Sequence, residues 1–202
     1  MRARPGPRGV SPEEGASREV LDFWFGPLDA RGPARREWFR KDDAFDAEIR
    51  RRFGRLHAAA AARECEPWRA SPQPMLALVI VLDQFSRNLF RGDARAFAQD
   101  AHARECAREA LARGDDLQVL PVERQFLYMP FEHSEALADQ ERGVELMRSL
   151  ANFEATGDVA EWAEKHRAII RRFGRFPHRN AALGRPSTPA EEAFLREPGS
   201  GF

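Results

Sequence analysis

The fold of this protein is decided by one stretch, MLALVIVLDQFSRNLF at residues 75–90, which begins with eight consecutive apolar side chains. An apolar run of this length fits either a buried strand or a buried helix. No alternating pattern flanks the run, and Leu82, Phe85 and Leu89 continue it at helical spacing. We therefore predict a buried central helix, with Ser71 and Pro72 at its N-terminus.

The rest of the chain carries the start and stop signals of further helices. A first helix is predicted to begin near Ser17, and Asp93 is predicted to cap a helix that Gly114 ends. Pro130 is predicted to break or kink its helix, and Thr188 opens a capping box. Seven or eight helices joined by short loops, without a convincing strand, predict an all-α fold of stacked antiparallel hairpins.

Length and composition predict one domain. The chain has 202 residues, of which 43% are hydrophobic, enough for one well-packed core. Residues 1–15 are rich in proline, glycine and arginine and are predicted to be a disordered tail. The single all-helical domain is then predicted to span residues 16–202.

Charge and cysteine usage exclude several classes of function. The 32 basic and 32 acidic residues cancel, so no overall field attracts nucleic acid or an anionic membrane. The N-terminal residues lack the apolar core of a signal peptide, and no apolar run could span a bilayer. Cys65 and Cys106 are far apart, which fits free thiols in a reducing compartment. The sequence therefore predicts a cytoplasmic protein without nucleic-acid or membrane partners.

The first of three polar clusters lies in the central stretch itself. Asp83, Arg87 and Arg91 are spaced four residues apart, so they lie on one helix face, and Asn88 is next to them. Such a ladder is ordinarily a solvated set of ion pairs worth little stability. Here the helix should be central, so these polar side chains would need partners. We take all four as candidate ligand-binding residues.

The second cluster is in ERQFLYMPFEHSE, residues 123–135. Glu132 and His133 are adjacent, and a carboxylate can orient an imidazole and raise its pKa for acid/base catalysis. The alternative is that Ser134 or His133 caps the next helix while Glu135 lies near its positive end. The catalytic candidates are Glu132, His133 and, from the third cluster, His178.

The third cluster is FGRFPHRNAALGR, residues 173–185, a loop-like stretch after a helix. Loops can bring backbone and side chains together on a ligand. Arginines in it could hold a carboxylate or phosphate bidentately, or could equally fix the C-terminal tail to the helices. Its candidate ligand-binding residues are Arg175, Arg179, Asn180 and Arg185.

Short catalytic and cofactor motifs are absent from the sequence. There is no HExxH, CxxC, GxSxG or glycine-rich phosphate loop, and His166 and His178 lack the spacing of metal ligands. We therefore predict no metal and no cofactor. Any catalytic site would have to be assembled from separate helices.

These blocks resemble a family of bacterial proteins, the domain-of-unknown-function family 924. Four of them match in order, WFRKDDAFDAEIRRRF, LALVIVLDQFSRNLFRGDARAFAQD, ERQFLYMPFEHSE and RFGRFPHRNAALGRPSTPAEEAFL. The position of Ser86 is commonly proline in that family. The resemblance implies an all-helical fold similar to tetratricopeptide repeats, and it implies no activity.

Three functions are consistent with these residues. The leading hypothesis is a pocket that binds a small anionic or carboxylate ligand, which would suit an uncharacterised hydrolase or lyase. The alternatives are a scaffold that binds a peptide or protein in a groove, and a buried polar network that fixes helix register. A homodimer is left open, and exposed faces on Trp24, Trp38 or Trp68 would favour it.

Overall fold

The computed structural model describes residues 12–32 and 35–200, and these residues form helices and no strand. The prediction of an all-α fold is confirmed, while the tetratricopeptide-like stacking stays a prediction. The helices are α1 (Pro12–Phe25), α2 (Asp43–Ala61), α3 (Pro72–Ile80), α4 (Ser86–Leu89), α5 (Asp100–Arg113), α6 (Pro121–Glu132), α7 (Leu137–Arg148), α8 (Val159–Phe173) and α9 (Pro189–Leu195). A π-helical turn, Val81–Phe85, joins α3 to α4.

The predicted central helix is formed by α3, the π turn and α4 in succession. Every residue from 75 to 86 is buried. The helix packs against α1, α5 and α6 as well as α2, so it has no solvent face that would select polar side chains. Burying each large aliphatic side chain contributes about 1.5–3 kcal/mol, so this run is a major source of stability.

Aromatic side chains fill the space between α1 and the central helix. Trp24 makes edge contacts with Phe85 and Phe126, with ring centroids 5.7 and 5.6 Å apart. Trp38 donates its indole N–H to the Trp24 carbonyl at 2.9 Å. Trp24, Trp38 and Trp68 are all buried, so none supplies the exposed face that would favour a homodimer.

Several helix boundaries follow the sequence signals. Gly114 has a positive φ of 73° and ends α5, as predicted. Thr188 and Glu191 form the predicted capping box of α9, with the Thr188 N–H donating to Glu191 Oε2 at 2.7 Å. The signal at Asp93 is also used, but its side chain caps a 3-10 turn, Ala94–Phe97, and α5 begins only at Asp100.

Two predicted boundaries are wrong. The first helix begins at Pro12 and not near Ser17, so residues 12–15, assigned to the disordered tail, are helical. Residues 1–11 lie outside the described residues, where the tail stays a prediction. The second error is the break at Pro130, because α6 continues to Glu132, while a kink at Pro130 stays a prediction. Pro130 lies in the last turn of α6, only two residues before the helix ends.

A second, smaller apolar cluster holds the C-terminal segment. It consists of Ile169, Ile170, Phe176 and Phe194, with Phe173 packed beside them. Gly174, with a φ of 71°, ends α8 and turns the chain back across the helices. The stretch from residue 173 to 185 is thereby brought over the ends of α5 and α6, where the polar clusters lie.

Candidate functional site

Residues from all three predicted clusters meet at the end of α6. The buried or half-buried group, called the central cluster below, consists of Asp83, Arg87, Asp100, Glu132, His133, His166 and Arg179. They come from the π turn, from α4, α5, α6 and α8, and from the 3-10 turn Pro177–Arg179. The chain therefore assembles this group from segments up to about one hundred residues apart.

Asp83 is the most connected carboxylate of the central cluster. Its Oδ1 lies 2.7 Å from His133 Nδ1 and 3.2 Å from Arg87 Nη1, and its Oδ2 accepts from Gln84 Nε2 at 2.7 Å. Burial by itself would raise the pKa of Asp83, but Arg87, His133 and Gln84 stabilise the anion and hold the pKa below its usual range. Asp83 is therefore a buried, ionised carboxylate.

His133 takes its orientation from Asp83 and not from Glu132, which corrects the pairing expected from the sequence. Since a carboxylate can only accept, Nδ1–H of His133 donates to Asp83 and Nε2 keeps its lone pair. Burial, and then the charge of Arg87, lower the pKa of His133, and these effects outweigh Asp83. The expected rise in pKa does not occur, so the imidazole is neutral at neutral pH.

Glu132 has the opposite electrostatic setting. Burial, and then the negative charge of Asp83, raise its pKa well above the usual value, so it retains a proton to higher pH. Its Oε2 lies 4.0 Å from His166 Nδ1, and its Oε1 has no hydrogen-bond partner within the described part of the chain. His166 Nδ1 instead donates to the Trp162 carbonyl at 2.8 Å.

Two arginines of the central cluster share Asp100. Arg87 reaches both carboxylate oxygens, at 3.0 and 3.3 Å, and Arg179 Nη1 lies 3.1 Å from Oδ2. The guanidinium carbon of Arg179 lies over the rings of Phe97 and Phe176, at 4.6 and 4.5 Å from their centroids. Burial, and then the nearby Arg87, lower the pKa of Arg179 to about 10, so the charge remains at neutral pH. Its buried Nε has no partner among the described residues.

The remaining predicted residues lie outside the central cluster and contact other carboxylates. Asn88 and Arg91 both bind Asp46 on α2, Asn88 at 2.6 Å. This arrangement ties the end of the central helix to the start of α2. Asp46 and Asp100 carry no sequence motif, and only their places in the fold make them partners.

Arg175 and Arg185 secure the C-terminal segment, the alternative that the sequence left open. Arg175 binds Glu191 at 2.6 Å, and Arg185 binds Glu135 through two contacts of 2.8 and 3.0 Å. Asn180 accepts from Arg185 at 3.0 Å, so it orients that arginine. These contacts are within the fold itself and stabilise the segment that carries Arg179.

His178 lies beside the central cluster, with its ring 5.5 Å from that of Phe176. Burial, and then the charge of Arg179, lower its pKa to about 4. Ser134, which follows His133 in the chain, accepts from the Ala136 N–H at 3.2 Å and donates to Asp139 at 2.7 Å, just before α7 begins. The N-cap of α7 is Ala136, which has no side-chain cap hydrogen bond, so neither Ser134 nor His133 caps this helix, and His133 belongs to the central cluster.

Gly143 on α7 determines how closely α7 approaches Glu132. A Cβ at this position would lie 3.3 Å from the Glu132 N and 3.4 Å from its Cγ. Gly54 on α2 is also inside a helix but has open space around it. We expect Gly54→Ala to stabilise by about 0.5–1 kcal/mol, because alanine loses less entropy in a helix. Overpacking against Glu132 costs about 1–3 kcal/mol and the same helix propensity offsets about 0.5–1 kcal/mol of it, so we expect Gly143→Ala to destabilise by up to about 2.5 kcal/mol.

The two substitutions make a matched pair for chemical denaturation. Both change glycine to alanine inside an α-helix, so propensity favours both equally, and only the packing differs. Equal stabilisation of the two variants would contradict a close approach of α7 to Glu132.

Surface grooves lie away from the central cluster. One of about 420 Å³ lies beside Phe23 and Arg52, and another of about 290 Å³ lies beside Pro121 and Phe153.

In the part of the chain that the structure describes, no group of three or more His, Cys, Asp or Glu side chains has the arrangement of a metal site. Cys65 and Cys106 are free thiols, and both are buried. No helix between residues 12 and 200, residues 33 and 34 apart, combines the length and apolar character of a membrane span.

The fold and the central cluster define the class. The chain is an all-α protein in which a buried cluster of carboxylate, guanidinium and imidazole side chains joins the central helix to the C-terminal segment. A family model described as "Bacterial protein of unknown function (DUF924)" matches residues 20–199, and the chain belongs to that family. The resemblance noted from the sequence is thus confirmed. A solved structure, described as a protein of unknown function, ATU0120, from Agrobacterium tumefaciens, is similar, with 42% identity and a TM-score of 0.81. The similarity covers 90% of this chain and 97% of that one. No curated protein matches the chain.

Proposed function

We propose that the central cluster is an acid–base site that binds a small carboxylate-bearing ligand, in a hydrolase or a lyase. One observation carries the proposal. Two side chains of the cluster, Glu132 and Arg179, are more than nine-tenths buried, and each leaves one polar atom without a hydrogen-bond partner among the described residues. Buried polar atoms are nearly always paired, so a bound molecule would account for both.

Arg179 suits recognition of a carboxylate. Only its Nη1 is engaged by Asp100, which leaves the Nε edge of the planar guanidinium for a second anion. Guanidinium groups bind carboxylates through two parallel hydrogen bonds, and a buried setting strengthens them. The rings of Phe97 and Phe176 both lie within 4.6 Å of the guanidinium carbon, which supports a fixed orientation of its Nε edge.

Acid–base chemistry is supported by three neighbouring groups with different protonation. His133 is neutral and can accept a proton at Nε2, because Asp83 holds the Nδ1–H. Burial and the charge of Asp83 raise the pKa of Glu132 well above its usual value, so it keeps a proton to higher pH than an exposed glutamate and can donate it. Titratable groups whose pKa values are moved apart in this way are typical of acid and base pairs. A base that removes a proton and an acid that protonates a leaving group suit elimination, and a base that activates water suits hydrolysis.

A thermal-shift screen tests ligand binding. Mono- and dicarboxylates, hydroxy acids, keto acids and short peptides would be added to the wild-type protein. A ligand at one hundred times its Kd stabilises the native state by about 2.7 kcal/mol, which is measurable. For a carboxylate that raises the melting temperature of the wild type, we expect Arg179→Lys to weaken binding by about 10- to 100-fold. Lysine keeps the charge but loses the planar fork.

Arg171→Lys is the matched control, because Arg171 pairs with Glu141 on the surface, where both side chains are about half exposed. It should leave binding unchanged. If no carboxylate shifts the wild-type melting temperature, or if Arg179→Lys binds as tightly as the wild type, the proposal fails. A response to peptides alone would favour the scaffold alternative.

One observation favours a second candidate, a purely structural network. Arg87 and Arg179, the two arginines of the central cluster, are both paired with Asp100 of the same chain. In that case the central cluster would fix the register of α4, α5 and the C-terminal segment without binding a ligand. The same screen separates the two, because this candidate predicts no carboxylate response.

A further inference from the structure

The central helix departs from α geometry at the turn that carries Asp83. The π turn Val81–Phe85 interrupts it between α3 and α4. A π-helix pairs each residue with the fifth one along instead of the fourth, and such single turns occur frequently at functional sites. Side chains on the two sides of the turn are therefore rotated relative to an uninterrupted α-helix, which changes where Asp83 lies relative to α6.

Side chains hold two carbonyl groups of this turn. Ser86 Oγ donates to the Leu82 carbonyl at 2.5 Å, and Arg87 Nη1 donates to the Asp83 carbonyl at 2.7 Å. Ser86 in turn lies 2.8 Å from His57 Nε2 on α2. The hydroxyl has one hydrogen, which points to Leu82, so His57 must donate its Nε2–H to Ser86 Oγ.

The pair is buried and cannot itself meet a ligand. Ser86 is fully buried and His57 nearly so, with the ring of His57 against that of Phe90 at 5.4 Å. The hydrogen bonds of His57 and Ser86 do not reach the central cluster directly. They end at the carbonyl of Leu82, the residue that precedes Asp83 in the chain.

We propose that His57 and Ser86 are positioning residues: they hold the Leu82 carbonyl in the π turn and thereby place the Asp83 carboxylate against His133. The inference rests on the acid–base role proposed above for Asp83 and His133. The Asp83 Oδ1 to His133 Nδ1 distance is 2.7 Å and joins two separate elements. A hydrogen bond weakens steeply when its angle departs from linear, so a small displacement at Leu82 lowers the preference of His133 for the Nδ1–H form.

The test measures the tautomer of His133 by long-range ¹H–¹⁵N NMR at neutral pH, with its signals assigned by their loss in His133→Gln. The variants are Ser86→Ala, which removes the hydroxyl, and His57→Phe, which keeps a ring against Phe90. Ser149→Ala is the matched control. Ser149 Oγ also donates to a carbonyl of its own helix, Leu146, at 2.6 Å, but at the end of α7.

The wild type and Ser149→Ala are expected to show the Nδ1–H form of His133. In Ser86→Ala and His57→Phe the Nε2–H fraction should rise about fivefold, the change that losing one hydrogen bond of ordinary strength produces. An unchanged His133 spectrum in either folded variant overturns the inference, and if Ser86→Ala does not fold, His57→Phe decides alone. No ligand enters this measurement, so its failure is distinct from a failure of the carboxylate screen.

Discussion

Asp100→Ala is expected to lower the free energy of unfolding by about 3–5 kcal/mol, the usual effect of removing one partner of a buried ion pair. Asp100 is contacted by both Arg87 and Arg179, whose side chains are 19% and 7% exposed. Without the carboxylate, two guanidinium groups remain together in a poorly solvated place. Their mutual repulsion adds to the cost of leaving each charge without its partner.

Chemical denaturation measures this effect, and Glu141→Ala provides the control. Glu141 pairs with Arg171, but the two side chains are 52% and 51% exposed, so the pair is worth about 0–1 kcal/mol. Each substitution removes one carboxylate from one or two arginines, and burial is the main difference. Similar losses in the two variants would contradict the burial of Asp100 at the centre of the cluster.

Stability is expected to fall as the pH drops below about 6.5, because two buried histidines are held neutral. Burial lowers the pKa of His166 to about 3, against the effect of the Trp162 carbonyl, and lowers that of His178 to about 4. In the unfolded chain both titrate near 6.5, so the unfolded state binds more protons below that pH. Their stabilisation is complete above 6.5 and is lost as the pH falls. His166 alone accounts for about 3 kcal/mol between pH 6.5 and 4.

Glu132 acts in the opposite direction within part of the same window. Its pKa is raised in the folded state, so its contribution is complete below the unfolded value near 4.3 and is lost as the pH rises. Glu132→Gln removes this opposing effect. The free energy of unfolding should then fall more steeply as the histidines are protonated below pH 6.5. Unfolding free energies would be measured from pH 8 to 4 in Glu132→Gln and in a double variant that also carries His166→Asn. A flat profile below pH 6.5 in Glu132→Gln would contradict the prediction.

Local sequence signals were sufficient for most of the helices. The apolar run at residues 75–82 predicted a buried helix, because only a segment surrounded on all sides can be apolar on all sides. Gly114 and Thr188 marked helix ends, since a positive φ and a capping box each depend on residues within one turn. The same local reasoning was applied to the wrong serine at Ser17: the sequence SPEE at residues 11–14 has the spacing of an N-cap serine, an N1 proline and an N3 glutamate, and the helix begins at Pro12.

The candidate site was predicted only in its membership. The sequence singled out Asp83, Arg87, Glu132, His133 and Arg179 as polar residues beside apolar ones, and the structure brings these five together. It did not predict Asp100, which sits in an ordinary alanine-rich helix. Nor did it predict the roles of His166 and Gly143, whose significance comes from contacts with Glu132.

What the sequence by itself determined is the fold class, the central helix and the set of polar residues available to it, because each depends on periodicity or on neighbours within a few positions. Which partner each polar side chain takes was decided by the tertiary structure. His133 is adjacent to Glu132 in the chain yet bonds to Asp83, fifty residues away. The π turn, the packing of α7 on Gly143 and the return of the C-terminal segment set those distances, and hydrogen bonds depend on distances of tenths of an ångström that no local pattern specifies.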